Sequence, residues 1–268
     1  MNSISLIANE PVMSQLQSGL FPHNGYEAGA VMLLGMNDFS VGPRGPERRY
    51  LSHKLALIPP QDVVSASAQH FSWKKTTFLR MLREAIAEGF AIGFVHSHRG
   101  GTQAYFSDAD DQNDEEVAEL VRNRTSGKVD FVSIVIDEQG KMVARRASKT
   151  MPFQDARVCS SFGIQWRWCF PELRPYDGTP YDRQVLAFGP EFLESLRHIR
   201  IGIAGAGATG SATAVLLARN GAADLQIFDD DVVEHTNLGR LHGATVADVD
   251  SGAFKVDVLK AHIESFGL

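Results

Sequence analysis

Two histidines, a serine and an aspartate crowd into residues 95–110, which read V-H-S-H-R-G-G-T-Q-A-Y-F-S-D-A-D. The run before His96, A-I-G-F-V at 91–95, is short and apolar and reads as a buried strand with His96 and His98 at its tip. Side chains alternate along a strand, so both imidazoles project from one face with Cα atoms roughly 6.5–7 Å apart. From there two rings converge on one ion at about 2.0–2.1 Å, the distance zinc takes from imidazole nitrogen. Asp110 is the nearest third ligand, because the Gly100-Gly101 turn lets the chain double back into a helix starting at Ser107. Ser107-x-x-Asp110 also reads as a capping box, the serine satisfying free N–H groups and the acid sitting in the favourable first turn. Both readings hold together.

The surrounding elements must hold this segment in place. Residues 3–8 read as a strand, 11–20 as a short helix stopped at Gly19 and the F-P-H-N-G break, and 30–34 and 50–58 as strands around a turn-rich connection at 42–46. Between 73 and 88, Phe78, Met81, Leu82, Ala85 and Ile86 recur at helical spacing, an apolar stripe that should cover the sheet. After the metal strand come a helix of about a dozen residues to Arg124 and two strands, 129–137 and 141–146, joined by a D-E-Q-G turn. Residues 1–150 therefore read as a compact α/β unit. His23, His53 and His70 lack partner spacing and read as surface or core residues. Residues 151–180, rich in aromatics, Arg and Pro and without a period, read as a packed linker making an interdomain or dimer contact.

At residue 199 the texture changes. A strand, I-R-I-G-I-A, runs into Gly205-x-Gly207-x-x-Gly210 and an Ala/Leu-rich helix to Asn220. Such glycines permit a tight turn and close approach of backbone N–H groups to a phosphate at the helix start. A second strand, 225–228, ends at Asp229, where an acid can hold a ribose hydroxyl. On these residues alone NAD and ATP are equal choices.

Composition sets the outer bounds. The 268 residues are 44% hydrophobic, enough for one or two domains with ordinary cores, of which two is preferred. A net charge of −6 leaves no basic excess to neutralise phosphates, which argues against nucleic acid as the main partner. No apolar run reaches membrane-spanning length and the first ten residues lack a signal-peptide pattern, so no membrane is expected and the protein is placed in the cytoplasm. Cys159 and Cys169 make neither a disulfide framework nor a CxxC zinc knuckle, leaving His and Asp as zinc ligands.

His96-Ser97-His98, a glycine-containing loop and Ser107-x-x-Asp110 together resemble the signature of the JAMM (JAB/MPN) metalloproteases. The loop is one residue longer than is common there, and Arg99 stands where proline is frequent. That resemblance implies an upstream glutamate, which Glu27 matches in G-Y-E-A-G-A-V-M-L-L-G. It further implies Zn²⁺ on His96, His98 and Asp110, Glu27 as proton carrier and Ser107 as oxyanion donor. The implied fold is an α-β-α domain with a mixed sheet, and the implied substrate is the C-terminus of a ubiquitin-like protein, cut at a peptide or isopeptide bond.

Tyr181-Asp182-Arg183-Gln184, the D-D-D-V-V-E run from Asp229, Asn237-Leu238-Gly239-Arg240 and Lys255 set around the glycine loop resemble the ThiF/MoeB adenylating family, which includes the ubiquitin-activating enzymes. This resemblance covers roughly residues 181–268. It implies ATP with Mg²⁺ held by Gly205, Gly207 and Gly210 with Asp229 on the ribose, and Asn237, Arg240 and Lys255 on the phosphates. Arg183 would be offered across a homodimer interface, and the partner would be a ubiquitin-like or sulfur-carrier protein. The expected fold class is thus α/β, a JAB/MPN-like domain at 1–150 followed by a Rossmann-like, ThiF-type domain. The latter is read as the N-terminal part only, since the chain stops at Leu268 before the further strands, the later magnesium-binding aspartate and the cysteine of complete members. The pathway expected is a bacterial ubiquitin-like conjugation or sulfur-carrier system. Two other readings stand beside it: a metal-free JAB/MPN scaffold serving an adenylating domain, and an NAD-dependent oxidoreductase, which Asn237-x-x-Arg240 and the Tyr181 patch disfavour.

Overall fold

A strand buried on both faces must be apolar at every position rather than at alternate ones, and A-V-M-L-L at 30–34 and A-I-G-F-V at 91–95 meet that demand. The computed structural model describes residues 3–40, 46–68, 70–100, 104–147, 153–163, 167–169 and 180–267. It places both runs in the middle of a nine-stranded sheet. The first unit runs β1 (Ser3–Asn9), α1 (Glu10–Leu20), β2 (Gly29–Phe39), β3 (Glu47–Leu57), β4 (Val63–Ser67), β5 (His70–Trp73), α2 (Thr76–Glu88), β6 (Ala91–Ser97), α3 (Asp108–Thr125), β7 (Phe131–Ile136), β8 (Met142–Ala147), β9 (Phe153–Asp155), β10 (Val158–Phe162) and β11 (Arg167–Cys169).

The large sheet is ordered β11-β10-β1-β3-β2-β6-β7-β8-β9. It is mixed: β1 pairs in parallel with β10 and β3, and β6 with β7, while the other neighbours are antiparallel. Alternation sends Ala30, Met32 and Leu34 into one core with Val12, Met13, Leu16 and Leu20 of α1. Val31 and Leu33 enter the other core with Phe78, Met81, Leu82 and Ala85 of α2 and Val117 and Val121 of α3. The unit is therefore three layers, α1 on one face and α2 with α3 on the other, each large buried side chain contributing about 1.5–3 kcal/mol of transfer free energy. Helix α1 starts at Asn9, whose side chain accepts from the Val12 N–H at 3.0 Å, and α2 stops at Gly89, whose φ of 77° suits glycine.

Several expectations are corrected. Helix α3 extends over 18 residues rather than a dozen, and Ile86 of the predicted apolar stripe is half exposed. Residues 63–67 and 70–73, for which no element was expected, form a separate hairpin, β4 with β5. The segment read as a linker instead contributes β9, β10 and β11 to the sheet, and the first compact unit reaches to Glu172 rather than 150. Strands of three to five residues carry too little pattern to stand out from a loop. Gly101, residues 42–45 and half of 151–180 lie outside the described residues.

The second compact unit is Leu173–Leu268. Its described elements are α4 (Asp182–Phe188), α5 (Pro190–His198), β12 (Arg200–Ala204), α6 (Ala208–Arg219), β13 (Asp224–Phe228), a single 3-10 turn at His235–Asn237, α7 (Val246–Ser251) and α8 (Lys255–Glu264). Strands β12 and β13 are parallel, with Arg200 opposite Asp224 and Ala204 opposite Phe228, and α6 crosses between them, giving the Rossmann-like βαβ arrangement expected. Ala214 and Val215 of α6 pack with Leu259 of α8. No described helix is long and apolar enough to cross a membrane.

Candidate metal centre and candidate nucleotide site

Strand β6 ends between two fully paired neighbours, with His96 opposite Gly29 of β2 and Val135 of β7. One residue past the strand, the His98 N–H still donates to the Ile136 carbonyl at 3.0 Å. Both rings consequently leave the sheet on one side. Their Nε2 atoms lie 3.2 Å apart. Asp110 closes the triangle, Oδ1 at 2.8 Å from His96 Nε2 and Oδ2 at 3.3 Å from His98 Nε2. Donors that share a tetrahedral ion at 2.0–2.1 Å sit about 3.3 Å from one another, so the donor set and its spacing fit zinc. His96 Nδ1 is buried with no hydrogen-bond partner, so the usual second hydrogen bond of a metal-ligating histidine is not made on that ring.

The capping box and the ligand position coexist on one carboxylate. The Ser107 N–H and hydroxyl both donate to Asp110 Oδ2 at 2.7 Å, and the Asp110 N–H donates back to Ser107 Oγ at 3.3 Å. Capping thus occupies Oδ2 and leaves Oδ1 aimed at His96. Burial opposes the charge on Asp110, yet hydrogen bonds from His96 and His98 and the Ser107 N–H hold its carboxyl well below the usual carboxylate range. For His98 burial pulls the imidazole down, and the Asp110 hydrogen bond and charge, with Glu27, leave it raised.

Glu27 enters from the segment before β2. Its N–H donates to the Ser67 carbonyl at 2.8 Å, and the next N–H, of Ala28, donates to Ser97 Oγ at 3.0 Å. The side chain is 8% exposed. Burial pushes its carboxyl up, against the pull of His98 and His96, while Asp110 adds to the rise. Glu27 therefore stands within electrostatic reach of all three candidate ligands. Tyr105, 58% exposed, sets its ring edge-on to His98 with centroids 5.2 Å apart. Sequence reasoning gave no role to Arg99, whose guanidinium donates to the Tyr26 carbonyl at 3.0 Å and the Pro22 carbonyl at 2.7 Å. A lone arginine after a histidine looks like surface charge, and its partners lie more than seventy positions upstream.

In the second unit two of the three loop glycines meet a backbone demand. Gly205 has φ +96°, and a Cβ on Gly210 would lie 1.7 Å from the Gly205 carbonyl oxygen, so the loop closes only on glycine. At Gly207 a Cβ would meet nothing within 4 Å, so no steric demand is visible there. Asp229 accepts from the Ala206 N–H at 2.6 Å and the Asp231 N–H at 2.9 Å. The Ala206 hydrogen bond chiefly lowers its pKa; burial opposes it, and the Asp231 hydrogen bond and the Lys255 charge add to the lowering. Lys255, at the start of α8, is ion-paired to Asp231. Asn237 is buried, its side chain accepting from the Glu234 N–H at 3.0 Å, and the following turn reaches α6 through the His242 N–H on Ser211 Oγ at 3.3 Å. Arg240 is exposed on that turn. The loop, Asp229 and Lys255 are thereby drawn together by Asp229 and Asp231, with the Asn237 turn docked beside them. Arg183 is exposed on α4, and among the described residues no hydrogen bond or ion pair joins it to the loop.

Residues 181–267 match the model of the ThiF family, so this stretch is a ThiF-family domain. A tRNA threonylcarbamoyladenosine dehydratase of Bacillus subtilis (strain 168) is 39% identical over 83 residues, 31% of this chain and 32% of the relative. The uncharacterized protein y4qC of Sinorhizobium fredii is 49% identical over 71 residues, 26% of this chain and 12% of the relative. A crystal structure of E. coli MccB with ATP is 28% identical, covering 34% of this chain and 28% of that one at a TM-score of 0.31. The chain thus spans about a third or less of each of these proteins.

Proposed function

We propose that the first unit is a zinc-dependent hydrolase cutting at the C-terminus of a ubiquitin-like or sulfur-carrier protein. The second unit is read as an ATP-dependent adenylating domain for the same class of modifier. The observation that carries the first half is the convergence of His96 Nε2, His98 Nε2 and Asp110 within 2.8–3.3 Å of one another. Zinc held by three protein ligands supplies an activated water and a polarised carbonyl. Around it, Glu27 takes a proton and delivers it to the leaving amine, a task suited to a carboxyl whose pKa burial has raised. The Ser107 hydroxyl, now donated to Asp110, turns to the oxyanion as charge develops there. Exposed Tyr105 borders the approach for an extended tail.

The ThiF match and the glycine loop support the second half. Gly205, Gly207 and Gly210 wrap the phosphates of ATP, Asp229 holds the ribose, and Asn237, Arg240 and Lys255 face the phosphates with Mg²⁺. Arg183 is supplied from a second copy in a homodimer. The Bacillus relative is named for a tRNA nucleoside, but a net charge of −6 argues against tRNA for this chain. The protein is assigned to the cytoplasm, where ATP and modifier meet, and to a ubiquitin-like conjugation or sulfur-carrier pathway.

The deciding experiment is the metal content of purified protein beside His96→Ala. About one zinc per chain, lost in the variant, is expected; no zinc in either after reconstitution overturns the hydrolase. Titration with ATP and NAD tests the second half, which expects ATP alone to bind.

A further inference from the structure

A buried guanidinium needs fixed partners on every side, and those partners are in turn fixed by it. Arg145 of β8 is such a group. Its Nε and Nη2 donate to Asp114 Oδ2 at 3.0 and 2.6 Å, and its Nη1 to Asp111. The rings of Phe106 and Phe153 lie 3.9 and 4.3 Å from its central carbon. Asp114 is wholly buried. Three of these four partners bracket the candidate site: Phe106 immediately precedes Ser107, Asp111 immediately follows Asp110, and Asp114 lies one helical turn further on. Arg145 sits opposite Ser133 of β7, and β7 pairs with β6, which carries His96. One side chain thus ties the entry and first turn of α3 to the sheet that presents the histidines.

We infer that Arg145 is a positioning residue for the candidate metal centre, fixing Asp110 and Ser107 against His96 and His98 without touching the ion. This rests on the zinc reading given above. A planar fork held against two aromatic rings is the feature that lysine cannot reproduce. Arg145→Lys keeps the charge and loses that fork.

The test compares wild type with Arg145→Lys by zinc affinity in competition with a chromophoric chelator, the visible spectrum of the cobalt(II)-loaded protein, and amide exchange at residues 107–111. Arg145→Lys is expected to bind zinc 10- to 100-fold more weakly, as substitutions behind metal ligands do. Its cobalt spectrum should shift, and its 107–111 amides should exchange faster while those of β6 do not. A folded variant with wild-type affinity, spectrum and exchange overturns the inference. Should Arg145→Lys not fold, Phe153→Leu removes one stacking face while leaving both ion pairs, and the same readouts decide. Wild type without zinc would end the zinc reading alone, because exchange at 107–111 still shows whether Arg145 anchors that turn.

Discussion

The Arg99 Nε donates to the carbonyl oxygen of Tyr26 at 3.0 Å, so the residue after His98 is tied to the residue before Glu27. With a second bond to Pro22 at 2.7 Å, one cation fastens the segment before Glu27, the proposed proton carrier, to the end of the strand that carries the candidate ligands. Arg99→Ala is expected to keep its zinc and lose turnover on a modifier fusion by about 10²-fold, the scale of an ångström-sized misplacement. Parallel measurements of zinc content and cleavage rate check this; loss of both together would show a collapsed site instead.

Glu27 and His96 should separate cleanly. Glu27→Gln keeps the metal and lowers the cleavage rate by about 10²–10⁴-fold, whereas His96→Ala loses the metal itself. A Glu27→Gln protein that cleaves at the wild-type rate would remove Glu27 from the chemistry.

The second unit offers a steric test. Gly210→Ala drives a Cβ into the Gly205 carbonyl at 1.7 Å, a clash that only loop displacement relieves. ATP binding followed by calorimetry should disappear, with zinc binding in the first unit unchanged. Undiminished ATP affinity would mean that this loop does not hold the nucleotide.

What the sequence showed and hid follows from the length of each signal. The apolar stripe of α2 spans three turns and is buried at Phe78, Met81, Leu82 and Ala85 as its spacing requires. His96, His98, Ser107 and Asp110 lie close enough in the chain for strand alternation and cap chemistry to bring them together on paper. Glu27 could not be placed that way, since its approach depends on pairing across β2 and β6. Strands β9 and β11 have three residues each, and β10 five, below the length at which a period is visible. Arg99 and Arg145 look like solvated charges in sequence, because their partners are set by tertiary contact alone.

Tyr50 gives a pH test away from the candidate metal. It is buried and donates to Asp130 Oδ2 at 2.6 Å, an oxygen that Arg48 also reaches at 2.8 Å. Burial, then the charge and hydrogen bond of Asp130, raise the phenol well above its ordinary value. A folded-state pKa above the unfolded one gives stability that is complete below the unfolded value, roughly pH 10, and lost as pH rises towards the folded value. Urea unfolding of wild type and Tyr50→Phe should therefore differ by about 1.5 kcal/mol at neutral pH, the gap narrowing above roughly pH 10. A pH-independent gap would contradict the assignment.

The parallel pairing of β1 with β10 sets Ser5 opposite Val158 and Asn9 opposite Phe162. A growing chain cannot close that side of the sheet until the tenth strand has been made. At about 5–20 residues per second, β1 waits roughly 8–30 s for its second neighbour. During that interval its open edge is a template for any other extended chain, and closing so long a loop is intrinsically slow. Faster elongation is therefore expected to shorten the time for which that edge stands open.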